Sequence, residues 1–177
     1  MPQFFYNTVK IINNNFYDAN DNLIGTYDTS SITSSTTLRG MYDSILIFDS
    51  DLSSLIDGRD MFNASTITSF RGDLNLLENG TSMFGASDLT SFDSSLPSLN
   101  NGESMFKGCE LDEESLLRIA STIKKHEGHD HKIEIGGFLT NVYETYPKWN
   151  EIRNNLISKG WVVYGFGFPS FGGWDLE

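Results

Sequence analysis

The chain is short of cysteine, of basic residues and of long apolar runs. Its one cysteine, Cys109, excludes an intrachain disulfide. No stretch approaches the ~20 apolar residues that a membrane-spanning helix needs, so no membrane insertion is expected. Lys and Arg total 12 against 24 Asp and Glu, a formal net charge of -12. That sign does not suit sequence-independent binding to nucleic-acid phosphates, nor docking on anionic lipid. It suits solubility in a crowded or multi-copy setting, or a cationic partner. The first residues lack a basic segment followed by an apolar core, and no lipidation motif is present. The expectation is a protein made in a cytoplasm. A mature form whose signal has been removed is the alternative.

What is present is a repeat. Met61-Phe62, Met83-Phe84 and Met105-Phe106 follow one another at intervals of 22 residues. Gly58, Gly80 and Gly102 stand three before each Met, and Leu55, Leu77 and Leu99 three before each Gly. Ile67, Leu89 and Leu111 follow each Met by six, and Phe70 and Phe92 follow by nine. A fixed period in the low twenties points to units that stack on their neighbours and share one core. A degenerate first copy spans 38–55, with Ile45, Phe48, Leu52 and Leu55 in register with Ile67, Phe70, Leu74 and Leu77. Aromatics at 13% and hydrophobics at 38% are ample for such a core and exclude disorder by composition.

Two flanks lie outside the period. Residues 4–28 read as a β-hairpin, with a strand from Phe4 to Ile12, turn residues Asp18 to Asn22, and a second strand over Leu23–Tyr27. The Ser/Thr run from Thr29 to Thr37 reads as a linker or boundary. After Leu111 the pattern changes to β-α-β-α-β. Asp112 is a fitting N-cap ahead of a helix with the stripe Leu116, Ile119, Ala120, Ile123. Lys132–Ile135 alternates as a strand ending at Gly136-Gly137. A second helix runs from about Pro147 to Ser158 with the stripe Trp149, Ile152, Leu156. Gly160 stops it before the strand Trp161–Tyr164. The expected organisation is 1–34 as an assembly or anchoring hairpin, 35–165 as the repeat body, and 166–177 as an aromatic, Gly-rich tail.

The repeat as it stands, L-x-x-G-x-x-M-F-x-x-S-x-(I/L)-T-S-F-x-x-x-L, resembles the leucine-rich repeat of BspA-type bacterial surface proteins. Met105-Phe106-Lys107-Gly108-Cys109-Glu110-Leu111 is the copy most like their units. The closing pattern from Leu111-Asp112 to Trp161-Val162-Val163 is similar to that of such proteins in gut Bacteroidetes and their tailed, crAss-like phages. The likeness covers roughly residues 38–165. It implies an α/β fold, a short leucine-rich-repeat solenoid closed by the β-α-β-α-β segment. It also implies a role in binding or display rather than catalysis. With few repeats and no visible export signal, the resemblance fits a virion protein of a tailed phage, in a head-fibre, tail, decoration or attachment role. Other virion proteins or a host surface receptor would be its partners, and a homo-oligomer is expected. A cell-surface adhesion protein is the alternative.

Alternation about Ile67 and Phe70 places Ser69 and Arg71 outward. Stacked copies add Ser91 and Asp93, and before them Ile47 and Asp49. The candidate binding face is therefore Asp49, Ser69, Arg71, Ser91 and Asp93, with a merely solvated sheet face as its competitor. The aromatics at the two ends, Phe4, Phe5, Tyr6, Phe166, Phe168, Phe171 and Trp174, are candidate interface anchors. No cofactor is expected. His126-Glu127-Gly128-His129-Asp130-His131 holds metal-ligand types, and a small metal-dependent protein is a third reading. Their spacing in a loop favours an exposed polar turn instead. Asp18–Asn22 starts like a calcium loop but lacks its Gly and its closing Glu, so a turn is preferred. Cys109 shares a column with Ser65 and Ser87, which favours a small packed residue over a nucleophile. The methionine column is read as core packing.

Overall fold

Asn13 and Asn14 both take left-handed backbone, with φ of 49° and 66°. Two such residues in succession make the two-residue hairpin turn whose twist matches paired strands, and Asn tolerates that conformation better than most residues. A computed structural model describes residues 7–35, 44–128, 131–136 and 146–164. Strands β1 (Lys10–Ile12) and β2 (Asn15–Tyr17) flank the Asn-Asn turn, and β3 (Leu23–Thr26) returns antiparallel along β2. The Asp18–Asn22 turn joins β2 to β3. One Asp18 carboxylate oxygen accepts from the Asn20 and Asn22 amides at 2.9 Å each. The region is therefore a three-stranded meander, where the sequence reading gave a single hairpin. The first turn was hidden inside a run of strand-forming residues.

The Ser/Thr run is packed where it is described. Asp28 caps a 3-10 helix at Thr29–Ser31, and Thr29 and Ile32 are buried. Ser34 then makes a parallel bridge to Asp57. The described part of the run is part of the folded body and not a free linker.

Strands β4 (Ile47–Asp49), β5 (Ser69–Arg71) and β6 (Ser91–Phe92) are parallel and pair residue for residue at the period of the repeat. Phe48 stands opposite Phe70, and Phe70 opposite Phe92. The whole sheet runs β3-β2-β1-β4-β5-β6, with β1 parallel to β4. A second backbone ladder links the Met-Phe segments, for example Phe62 N–H to Met83 O at 2.7 Å and Phe84 N–H to Met105 O at 3.0 Å. In the turn before it, Glu78 N–H donates to Ile56 O and Asn100 N–H to Glu78 O, both near 2.9 Å or less. Each unit thus satisfies the backbone of the next along several lines at once.

Between the ladders lie two columns of phenylalanine. Phe48, Phe70 and Phe92 stack at 5.2 and 5.7 Å between centroids, with interplanar angles of 12°. Phe62, Phe84 and Phe106 stack at 5.5 and 5.7 Å. The columns meet edge to face, as between Phe70 and Phe84 at 4.9 Å and 68°. Aromatic pairs of this geometry contribute roughly 0.5–1.5 kcal/mol each beyond their buried area. The three methionines are fully buried beside them. Glycine at position 80 follows from that packing, because a Cβ there would lie 2.7 Å from the Met105 sulfur.

After the last Met-Phe pair the chain widens its units. Strands β7 (Gly102–Lys107), β8 (His131–Gly136) and β9 (Trp161–Tyr164) form a parallel sheet in that order. Helices α1 (Glu113–Thr122) and α2 (Trp149–Ser158) make the crossovers. Asp112 caps α1, accepting from Ser115 N–H at 2.8 Å. Both expected apolar stripes are buried. The β-α-β-α-β order is as the sequence reading had it, with α2 beginning two residues later than Pro147. Among the described residues the molecule is mixed α/β, with two helices and two sheets.

Candidate functional site

The outward row of the six-stranded sheet carries alternating charge. Phe48 and Phe70 point into the core, so their strand neighbours Asp49 and Arg71 point out. Asp93 follows one unit later. Arg71 Nη1 lies 4.0 Å from Asp49 Oδ2, and its Nε lies 3.5 Å from Asp93 Oδ2. Arg118, from α1, pairs through Nε with Asp93 Oδ1 at 2.9 Å. The row therefore reads acid, base, acid, base. Ser69 stands opposite Ile47 and Ser91 in the parallel row of the same face. Alongside, the Thr68 and Thr90 hydroxyls donate to the Leu46 and Thr68 carbonyls at 3.2 Å each.

All five residues of the candidate face, Asp49, Ser69, Arg71, Ser91 and Asp93, come together on this surface. Arg71 is exposed over 66% of its side chain, so its ion pairs are screened and contribute at most about 1 kcal/mol each. Their effect is to fix side-chain direction. The carboxylates are already matched by guanidinium groups, which leaves a balanced, polar face in a chain of net charge -12.

Arg118 was not found from the sequence, because it lies outside the 22-residue series. The series reaches Ser115, whose hydroxyl accepts from Phe92 N–H at 2.8 Å in place of a further strand. One helical turn beyond Ser115 is Arg118, and that spacing was the available signal. A second missed column is Asp57, Asn79 and Asn101, each just before a repeat glycine. Their side-chain oxygens accept the amides of Arg59, Thr81 and Glu103 at 3.2, 3.1 and 3.0 Å. Recurrence of Asp-Gly or Asn-Gly at each unit was the cue for these turns. The Arg59 guanidinium forks onto Asp57 and holds its carboxyl below the usual range.

The remaining candidates are structural. Cys109 is buried and its thiol donates to Phe84 O at 3.1 Å. Burial pushes its pKa up to about 11, so it is a protonated thiol at neutral pH and not a thiolate. Ser65 in the same column donates to Phe62 O of its own unit at 2.7 Å, whereas Cys109 reaches back to the Phe84 of the preceding unit. In the histidine segment, residues 129 and 130 lie outside the described residues. His126 and His131 are half-buried and stacked at 3.4 Å between centroids, so they are not the exposed turn the sequence reading favoured. Each turns one ring nitrogen to a backbone carbonyl, His126 to Leu99 and His131 to Asn100. Among the described residues no three His, Cys, Asp or Glu groups converge as a metal site. The candidate anchors Phe4, Phe5, Tyr6, Phe166, Phe168, Phe171 and Trp174 all lie outside the described residues. No helix among the described residues is long and apolar enough to cross a membrane.

Fold and site together define a mixed α/β protein that presents a charge-balanced, hydroxyl-bearing sheet face. Compared with known proteins, the chain matches no family model, no curated protein and no solved structure.

Proposed function

We propose that this chain is a short leucine-rich-repeat solenoid that serves as a non-enzymatic structural and binding protein, a displayed component of a tailed-phage virion. The observation that carries the reading is the single 22-residue offset shared by strand register, phenylalanine columns and backbone ladders. Such an array lines up side chains at one spacing on one face, which is the geometry of repeat proteins that bind through an extended surface. In this protein that face holds Asp49, Ser69, Arg71, Ser91 and Asp93. Its partners are other virion proteins or a host surface receptor, and it works as a homo-oligomer. The same face would serve a bacterial cell-surface adhesion protein, the second reading.

The test is where the chain resides. Particles from the source culture are banded by density and their proteins identified by mass spectrometry. Recovery of the chain in the particle band, at many copies per particle, is the expected result. Recovery only in the cell-envelope fraction overturns the virion reading in favour of adhesion. Light scattering on the purified full chain then measures the oligomer.

A further inference from the structure

At the end of the 22-residue series one line of backbone hydrogen bonds passes to side chains, although two residues further on Gly102 of β7 pairs with Ile133 of β8. The carbonyl of Thr33 accepts from Ile56 N–H, that of Ile56 from Glu78 N–H, and that of Glu78 from Asn100 N–H. Asn100 O is the next acceptor in the series, and no further repeat follows to supply an amide. His131 Nδ1 fills the position at 2.7 Å. His126 Nε2 stands 2.9 Å from the neighbouring Leu99 O. Lys124 completes the substitution, its ammonium donating to Asn100 Oδ1 at 2.7 Å. A carbonyl only accepts, so each of these ring nitrogens carries a proton and donates.

The two imidazoles that do this lie face to face, 3.4 Å apart and 15° from parallel. Trp161, at the start of β9, closes over them, edge-on to His126 at 5.0 Å. Its indole N–H donates to Lys124 O at 2.7 Å. The backbone N–H of His126 donates to Lys159 O at 2.9 Å, at the end of α2. The pair therefore joins the last repeat, the α1–β8 connection, β8 and the α2–β9 junction. Among the described residues the charges that act on His126 are cationic, and Glu127, next in sequence, is exposed. Lys124 faces it from the α1–β8 connection. Lys159 directs its ammonium away, to the Ala120 and Ser121 carbonyls. On β8, Lys132 is turned to Glu103 of β7. Among the described residues no carboxylate forms a hydrogen bond or ion pair with either ring.

We propose that the stacked His126–His131 pair is a pH-sensitive clasp that holds the β7–β8–β9 end closed on the repeat array while His126 is neutral and loosens it when that ring is protonated. Protonation does not remove the N–H donors. It places a positive charge on a half-buried ring stacked face to face on another, beside Lys124. Burial, the largest influence, holds the His126 pKa below its ordinary value of 6.5. The Leu99 carbonyl opposes this, and the charges of His131 and Lys124 add to it. The unfolded chain therefore binds the proton more readily than the folded one. The clasp's contribution is complete above pH 6.5 and is lost as pH falls below it.

The test uses the full chain carrying His129→Gln, so that only two of the three histidines remain to titrate. Amide hydrogen exchange, corrected for intrinsic rates, is followed at pH 7.5 and pH 5.5. The opening constant of β8 and β9 amides is expected to rise at the lower pH by up to about tenfold, the limit set by a reference pKa of 6.5 one unit above that pH, while β5 amides do not change. The further pair His126→Gln and His131→Asn keeps an amide donor at each position without a titrating ring, and is expected to abolish the difference. Equal protection of β8 and β9 at both pH values overturns the proposal, as does the same rise in the amide-bearing variant. Should that variant not fold, ring-proton titration of the parent by NMR decides. A His126 midpoint below 6.5 is the expected result, and one at or above 6.5 overturns the proposal.

Discussion

At the scale of single residues, position in a column decides what a substitution does. Phe84 is fully buried, stacked on Phe62 and Phe106 and met edge-on by Phe70 and Phe92. Phe84→Asp removes those contacts and places a carboxylate among four phenylalanine rings. Truncating a buried Phe alone costs roughly 3–5 kcal/mol, and burying an unpaired charge adds to it. Since whole domains hold about 5–15 kcal/mol, the variant is expected to show no cooperative melt by circular dichroism. A melt like the parent's would refute the assignment of Phe84 to the core column. Gly160 is set by backbone contact. Its φ is +85°, and a Cβ would lie 2.5 Å from Gly128 O and 2.7 Å from His126 O. No side chain can give way there, because both neighbours are main chain. Gly160→Ala is expected to lower stability by about 1–3 kcal/mol in urea titration. A loss under 0.5 kcal/mol, the usual range of neutral surface changes, would show that the junction adapts.

Between residues and the whole molecule, individual elements differ in how plainly the chain announces them. Strands β4 to β6 and the Met-Phe segments were legible because each unit meets the same neighbours as the last, so one period encodes both structure and contacts. Helix α1 was legible from Asp112 and its apolar stripe. Its cap is a local interaction and so is testable locally. Asp112→Ala removes the acceptor for Ser115 N–H and is expected to cost about 1 kcal/mol, while Asp112→Asn keeps most of it. Equal midpoints for Ala and Asn in denaturant titration would mean that the cap is not used. Helix α2 illustrates the opposite case. Its N-cap is Lys148, with no side-chain cap bond, and the Lys148 amide is held by Glu113 of α1 at 3.0 Å. Nothing near Lys148 in sequence signals that partner. The same holds for the candidate face. Its five strand residues follow from period and alternation, whereas Arg118 and the stacked histidines depend on how a helix and a loop return to the array.

For the molecule as a whole, the question is what closes the two ends of the stack. At the far end Ser115 of α1 supplies an acceptor, and the histidine pair supplies donors, that a next repeat would have given. At the near end the meander does so. β1 pairs in parallel with β4, Lys10 opposite Ile47 and Ile12 opposite Asp49. Ile11 and Phe16 are fully buried, and Asn14 bonds to Ser50 and Thr29 beneath them. The described residues 7–34 are thus continuous with the sheet, whatever further role in assembly this segment has. Deleting them would strip β4 of its partner β1, uncover Phe48 and the first phenylalanine column, and leave the Ser50 and Thr29 hydrogen bonds broken or absent. Units of a stack bury their apolar faces only against neighbours, and an uncapped end is a liability for solubility. A chain starting at Ser35 is therefore expected to aggregate or to melt far below the full chain, measured by light scattering and circular dichroism. If it remains monomeric with an unchanged melting midpoint, the array closes itself and the meander is an appended module. If it folds but loses a self-association that the full chain shows, the same residues both cap the stack and join copies.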